Sequence, residues 1–300
     1  MLIAQNVSKS FGSKMALNDF SLSIPKGCIY GLLGPNGAGK TTFIRIINQI
    51  TMPDTGGVFL DGEPLGPKHI SEIGYMPEER GLYKNMKVGE QAVYLAQLKG
   101  LSHKMAVQKL RYWFDKLNIA DWWDKKLSEL SKGMGQKIQF IVTVLHDPKL
   151  LIFDEPFSGF DPVNANLIRD EIIELKNKGT TIIFSTHRME SVEEMCDYVA
   201  LVNKGHKVLD GKIQEVRNRF KDGKYKVDMV LNNSDKLEYL IEQYKVRDIK
   251  RNNGLTSFYV YGDQHNNNQI LQDLLQIGDI RSFTEEIPTM NEVFINAVKA

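Results

Sequence analysis

Three hundred residues carry 38 lysines and arginines against 37 aspartates and glutamates, a formal net charge of +1. That balance excludes a dedicated nucleic-acid binder, which would show a clear basic excess; 42% hydrophobic and 25% charged residues suit one large or two ordinary globular domains with ample chain to bury a core. The two cysteines, Cys28 and Cys196, lie far apart and form no C-x-x-C pair, so neither a disulfide framework nor a zinc site is expected, and a reducing compartment is.

The opening MLIAQNVSKSFG turns polar at once and lacks the charged region and apolar core of a signal peptide. No apolar run approaches bilayer length, so the chain is not expected to cross a membrane, which leaves room for a membrane partner. From Leu2 to about Glu63 the pattern is short strands with tight turns, marked by DTGG (Asp54 to Gly57) and LDGEPLG (Leu60 to Gly66). One helical stretch after Lys40 interrupts it.

That helix follows GLLGPNGAGKTT, Gly31 to Thr42. Gly34, Gly39, Lys40 and Thr41 complete G-x-x-x-x-G-K-[ST] between the apolar strand CIYGLL and the helix TTFIRIINQI. Glycines let the loop backbone wrap a phosphate without side chains in the way, and the loop N–H groups with the helix N-terminus hold the anion. The loop residues Asn36, Gly37, Ala38 and Gly39, with Lys40, Thr41 and Thr42, are the expected binding set. Lys40 should reach the β- and γ-phosphates and the Thr41 hydroxyl should meet Mg²⁺.

From about Val88 to Leu130 the pattern becomes helical, with Ala106, Leu110, Trp113, Phe114 and Leu117 at helix spacing. Trp122 and Trp123 read as packing residues. LSKGMGQK, Leu130 to Lys137, then places Ser131 at an N-cap position beside two glycines and two lysines. Alone it reads first as a capped helix start, with a second anion site as the alternative.

From about Lys149 to Leu209 apolar strands alternate with helices, which means a largely parallel α/β sheet. KLLIFDEP ends a buried strand in Asp154 and Glu155, where such sheets place ligands. Asp154 is the expected metal-side acid, and Glu155 is placed to orient or deprotonate an attacking water. TIIFSTHRME repeats the logic: His187 ends a strand that should neighbour the Asp154 strand, and contact with the γ-phosphate is its expected role. The remaining histidines form no cluster.

A boundary is expected near Gly211 to Asp222, where RNRFKDGK is polar and turn-rich. Beyond it lies a βαββαβ-like series: YKVDMVL, then DKLEYLIEQY with Leu237, Leu240, Ile241 and Tyr244 on one helix face, then VRDIK, LTSFYVY, NQILQDLLQI and DIRSFTEE. A last helix starts at Thr289 with Glu292 in capping-box position. That order suggests a ferredoxin-like accessory domain. The expected division is 1–215 for the α/β domain, with a helical subdomain over about 88–140, and 222–300 for the α+β domain.

With these motifs in this order, residues 1 to about 210 resemble the ATP-binding subunit of ATP-binding cassette (ABC) transporters. The resemblance implies a P-loop ABC nucleotide-binding domain, a mixed sheet core plus helical subdomain, that hydrolyses ATP with Mg²⁺. It identifies LSKGMGQK as the signature loop, with Ser131 and Gly133 gripping the γ-phosphate of ATP held by the opposite subunit of a homodimer or heterodimer. It assigns Phe11, in SFGSKMAL, to stacking on adenine, with a core phenylalanine as the alternative. Asp161, in FSGFDP, resembles the loop crossing the dimer seam beside Glu155. IGYMPEERGLY resembles the loop that senses nucleotide and touches an integral membrane permease, with Glu78 beside the γ-phosphate. The subunit would be peripheral on the cytoplasmic face of the membrane, with no nucleic-acid partner.

Two features, at three positions, depart from the family pattern. Lys132 and Met134 stand where the commoner signature has Gly and Gln, and Glu78 stands where the connecting loop usually carries glutamine. Together with PEERGLY and the C-terminal domain they resemble an exporter subgroup similar to bacterial sodium-efflux ATPase subunits, for sodium or drugs. A soluble ABC ATPase of repair or translation would carry coiled-coil insertions or two cassettes, and this chain has neither. A non-catalytic regulatory cassette is the other alternative; Lys40, Asp154, Glu155 and His187 speak against it.

Overall fold

The computed structural model describes residues 1–79, 81–232, 238, 241–262 and 267–299. The chain falls into two compact units, Met1–Ile213 with Ala297–Ala300, and Gln214–Asn296.

The first unit holds two sheets. Strands β1 (Leu2–Phe11) and β2 (Lys14–Ile24) pair antiparallel, and β4 (Thr55–Leu60) and β5 (Glu63–Pro64) extend them in the order β2-β1-β4-β5. At 10 and 11 residues, β1 and β2 are not the short strands their polar interruptions suggest. Register shifts between Ala4 and Ser10 let the pair absorb those residues and continue.

The second sheet runs β10-β9-β3-β8-β7-β6, from β3 (Ile29–Leu33), β6 (Ile73–Met76), β7 (Leu150–Asp154), β8 (Thr181–Thr186), β9 (Tyr198–Asn203) and β10 (His206–Lys212). All pairs are parallel except β9 with β10. Every residue of β3, β7 and β8 is buried, as expected of strands covered on both faces. Phe20, Phe43, Ile44, Ile47, Leu60, Tyr30, Ile152 and Ile183 belong to one continuous core. Helix α1 (Lys40–Ile47) contributes its apolar face to that core.

The helical layer consists of α2 (Val88–Leu98), α3 (His103–Lys116) and α4 (Lys132–Val144). The helix expected to run toward Leu130 stops at Lys116, where Asn118 turns left-handed at φ 54 and closes the helix end. Two 3₁₀ turns, Ala120–Trp122 and Leu127–Glu129, follow. Trp123 packs as expected, edge-on to Phe114 at 5.4 Å between centroids. Phe140 of α4 stacks on Phe153 of β7 and meets Trp113 of α3 edge-on, which ties this layer to the sheet. Helices α5 (Pro162–Asn177) and α6 (Met189–Met195) follow β7 and β8.

Ile213–Arg219, read as part of a polar boundary, forms helix α7. Ile213 and Val216 share one face and are both buried. The second unit carries β11 (Lys224–Leu231), β12 (Lys245–Asn252), β13 (Leu255–Tyr261) and β14 (Gly278–Glu285), antiparallel in the order β12-β13-β11-β14, with α8 (Asn267–Leu275) and α9 (Met290–Lys299). First strand beside third and fourth is the split βαβ arrangement expected of a ferredoxin-like domain. Its core includes Val227, Met229, Phe258, Val260, Ile270 and Leu274. Of the helix face expected in DKLEYLIEQY, Leu237 and Leu240 lie outside the described residues; Tyr244 is buried, but Ile241 is 43% exposed and does not share its burial. Thr289 and Glu292 form the full capping box, each side chain accepting the other's backbone N–H.

Candidate functional site

Three neighbouring parallel strands deliver the chemistry. In the sheet β8 lies between β3 and β7, with Leu33 paired to Thr186 and Asp154 to Ser185. The P-loop after β3, the Asp154–Glu155 pair at the end of β7 and His187 after β8 therefore leave the sheet side by side, at the C-terminal edge where α/β sheets hold ligands.

The P-loop is shaped by what crowds behind it. Gly34 sits at φ 148, and a Cβ there would come within 2.1 Å of the Val202 carbonyl oxygen; at Gly39, φ 114, it would meet Ala16 O at 2.5 Å. Neither position admits a side chain. Gly39 caps α1 without a side chain, so the first-turn N–H groups of the helix face outward as an anion site. Lys40 is buried at 7% exposure, and its Nζ donates to Gly34 O (2.7 Å) and Pro35 O (3.2 Å). Burial lowers its pKa, while Glu155, Asp154 and Glu78 nearby oppose that shift.

Asp154 is 5% exposed. Burial raises its carboxyl above the usual carboxylate range; Ser185 and Lys40 pull it down, and the negative charges of Glu155 and Glu78 push it up. Although close enough to act on Asp154, the Ser185 hydroxyl meets no partner at hydrogen-bonding geometry and is a buried orphan. Glu155 takes a left-handed backbone, φ 50, which is strained for a residue with a Cβ. Its carboxylate accepts from Thr186 Oγ1 (3.0 Å) and His187 N (2.8 Å), and lies 2.6 Å from His187 Nδ1. His187 itself is 62% exposed, with the rest of its ring turned to solvent.

Phe11 stands at the tip of the β1–β2 hairpin, opposite Lys14 across a two-residue turn. It is 51% exposed, which rules out the core-phenylalanine alternative. Phe11 and Lys14 share a cavity of about 180 Å³ with Asn36, Gly37, Ala38, Gly39, Lys40, Thr41 and Thr42. The structure thus brings an exposed aromatic ring together with the P-loop from Asn36 onward.

Ser131, Gly133 and Asp161 do not line that cavity. Ser131 caps α4, its Oγ accepting from Met134 N at 3.2 Å, and Asp161 caps α5 through Asn164 N at 3.0 Å; both are exposed. A Cβ on Gly133 would meet its nearest neighbour, Gly159 O, only at 3.4 Å, so packing within this chain does not demand a glycine there. The Lys132 stem lies across Gly159 and links the Ser131 turn to the loop before Asp161. Glu78 is exposed on the loop after β6, close enough for its charge to act on both Lys40 and Asp154.

Sequence reasoning passed over three residues here. Lys14 was visible in SFGSKMAL as a cation three places after Phe11, and Ser185 as the residue paired with Asp154 across two apolar strands. Gln139, buried on α4, donates to Pro77 O at 3.0 Å; a lone glutamine in a helix carries no sequence signal.

Residues 17–158 match the ABC transporter family and residues 211–298 the C-terminal domain of DrrA1-3-like ATP-binding proteins. The uncharacterized ABC transporter ATP-binding protein YhaQ of Bacillus subtilis is 42% identical over all of this chain and 99% of its own. The linearmycin resistance ATP-binding protein LnrL of Bacillus subtilis is 32% identical, covering 73% of this chain and 71% of its own. The Nod factor export ATP-binding protein I of Burkholderia lata is 33% identical over 69% of each. Among solved structures, an ATP-binding subunit of an ABC transporter superposes with TM-score 0.69 at 29% identity over 73% of this chain and 93% of that one. The dimeric cassette MJ0796 bound to ADP and phosphate shares the fold, with TM-score 0.65 at 20% identity over 71% and 99%. The fold, the P-loop and the full-length relatives agree: this chain belongs to the ABC transporter ATP-binding protein family and is a nucleotide-binding ATPase subunit.

Proposed function

We propose that two copies of this subunit close around two Mg-ATP and drive export through a separate membrane permease. The observation that carries the catalytic part is the Glu155 carboxylate, held between Thr186 and His187 at the strand edge beside the P-loop. Glu155 is the base that orients and deprotonates the attacking water, and His187 presents its exposed edge to the γ-phosphate. Lys40 exchanges its loop carbonyls for phosphate oxygens. Phe11 stacks on adenine, and Lys14 adds a cation at the cavity mouth.

The oxygens of Thr41 and Asp154, with the partnerless Ser185 hydroxyl behind them, suit a hard divalent cation that takes few protein ligands. Thr41 and Asp154 would hold Mg²⁺, which when bound would supply positive charge to the phosphoryl oxygens. Glu78 adds a carboxylate whose charge acts on the same Lys40 and Asp154. Ser131, exposed, and Gly133, half-buried, both outside the cavity of their own chain, grip the ATP of the partner, with Asp161 at the seam; an isologous pair completes both sites at once.

Among the described residues no helix is long and apolar enough to cross a membrane. The proposal assigns the membrane path to a separate permease, with this chain peripheral on the cytoplasmic face, as the family resemblance implies. Export follows the relatives whose names carry resistance and export, and the sodium-efflux subgroup follows PEERGLY and the signature departures. Steady-state ATP turnover tests the catalytic assignment. Glu155→Gln should lower kcat by about 100-fold or more while ATP affinity stays within about twofold. Turnover unchanged in that variant would remove Glu155 from the mechanism.

A further inference from the structure

The connecting loop between β6 and α2 is held by buried glutamine amides at its start and at Tyr83, midway along it. Gln139 of α4, 4% exposed, donates through Nε2 to Pro77 O at 3.0 Å and Glu79 O at 3.5 Å. Gln91 of α2, fully buried, accepts from Tyr83 N at 3.1 Å and donates to Tyr83 O at 3.5 Å. Glu78 lies between the two carbonyls that Gln139 holds. Its own side chain is exposed, so its aim is set by the backbone and not by packing.

The helix that carries Gln139 cannot easily shift. A Cβ on Gly74 of β6 would come within 2.4 Å of Thr143 O of α4, so this helix and strand are in backbone contact. Thr143 Oγ1 donates to Gln139 O at 2.7 Å within the same turn. Eight positions upstream, about 12 Å along the helix, the same helix ends in Ser131. One rigid element thus runs from the signature turn to the backbone of the loop whose carboxylate acts on Lys40 and Asp154.

We propose that Gln139 is a positioning residue: its amide couples the start of α4 to the placement of Glu78 beside Lys40 and Asp154. The inference rests on the reading of Glu78 and the signature turn as parts of ATP sites. An amide suits this place because it offers two donors to two carbonyls without bringing charge into a buried position. A carboxylate would offer acceptors to acceptors, and a thioether would offer neither.

The test uses the full-length chain with Gln139→Met, close in volume, and Gln139→Glu, close in shape, so that one misfolded variant leaves the other. Each should lower kcat about five- to tenfold with ATP affinity within about twofold. Amide exchange should quicken at 78–83 and stay unchanged in β6 and α4. In a Glu78→Ala background the kcat effect of either substitution should shrink below about twofold, because the two residues act in series. A full effect in both backgrounds, or unchanged kcat with faster exchange, would overturn the coupling and leave Gln139 a structural glutamine. If Glu78→Ala alone leaves turnover unchanged, it is the assignment of Glu78 to the site that fails, and the coupling through it falls too. The exchange data would then still report whether Gln139 holds the loop.

Discussion

Phe11 shows what one residue's surroundings add to its type. In the sequence, only the family resemblance pointed Phe11 to adenine, with a core phenylalanine as the alternative. Its exposure at a hairpin tip removes it from the core, and the cavity it shares with P-loop residues supports the proposed platform. Aromatic stacking on a base contributes on the order of 1–3 kcal/mol. Phe11→Ala should therefore weaken ATP binding about tenfold, with Phe11→Tyr within about twofold of the parent and kcat at saturation unchanged in both. Fluorescent-nucleotide titration reads this directly, and unchanged affinity in Phe11→Ala would return the ring to a surface role. Glu155 is the converse case. Its place at the end of a buried strand was legible from two acids after an apolar run, but its left-handed backbone and its bond to His187, 32 positions away, are encoded in no local pattern.

At the scale of elements, the buried strands β3, β7 and β8 were legible because continuous apolar runs have one stable home in an α/β sheet. The length of β1 and β2 was not, because bulges carry polar residues through a strand, and α7 was missed because two buried positions are too few for a helical period. The junction of α4 with β6 holds a further element-level device. His146, just beyond α4, places Nε2 3.3 Å from Ile73 O, and Lys99 Nζ donates to the same carbonyl at 2.9 Å. The His146 Nδ1 is buried without a partner. Burial first, and the Lys99 charge second, lower the His146 pKa to about 4. The unfolded chain, with its ordinary histidine near 6.5, therefore binds more protons than the folded one between about pH 6.5 and 4. Stability should fall as pH drops through that window, by at most about 1.4 kcal/mol per pH unit from this group, and the histidine should contribute no slope above about pH 7. Urea midpoints at pH 7 and pH 5 should converge in His146→Gln relative to the parent; an equal drop in both proteins would assign the acid sensitivity elsewhere.

At the scale of the whole molecule, the second unit was the more legible in its topology. Four alternating strands and their helices specify the observed strand order, and the motifs of the first unit specify the ligand edge of its sheet. Pairing between copies is not written in one chain's packing. The P-loop and the signature turn stand about ninety positions apart in sequence, Ser131 and Gly133 lie outside the P-loop cavity, and Gly133 is a glycine its own chain does not require. A second copy that brings its signature turn against the P-loop-bound nucleotide gives all three facts one cause. The most direct test is the solution mass of Glu155→Gln with and without Mg-ATP, since loss of the base should trap the bound nucleotide. The account predicts a mass that doubles only with Mg-ATP, and no doubling when Ser131→Arg is added. A chain that binds Mg-ATP and stays monomeric would contradict the composite site between identical subunits.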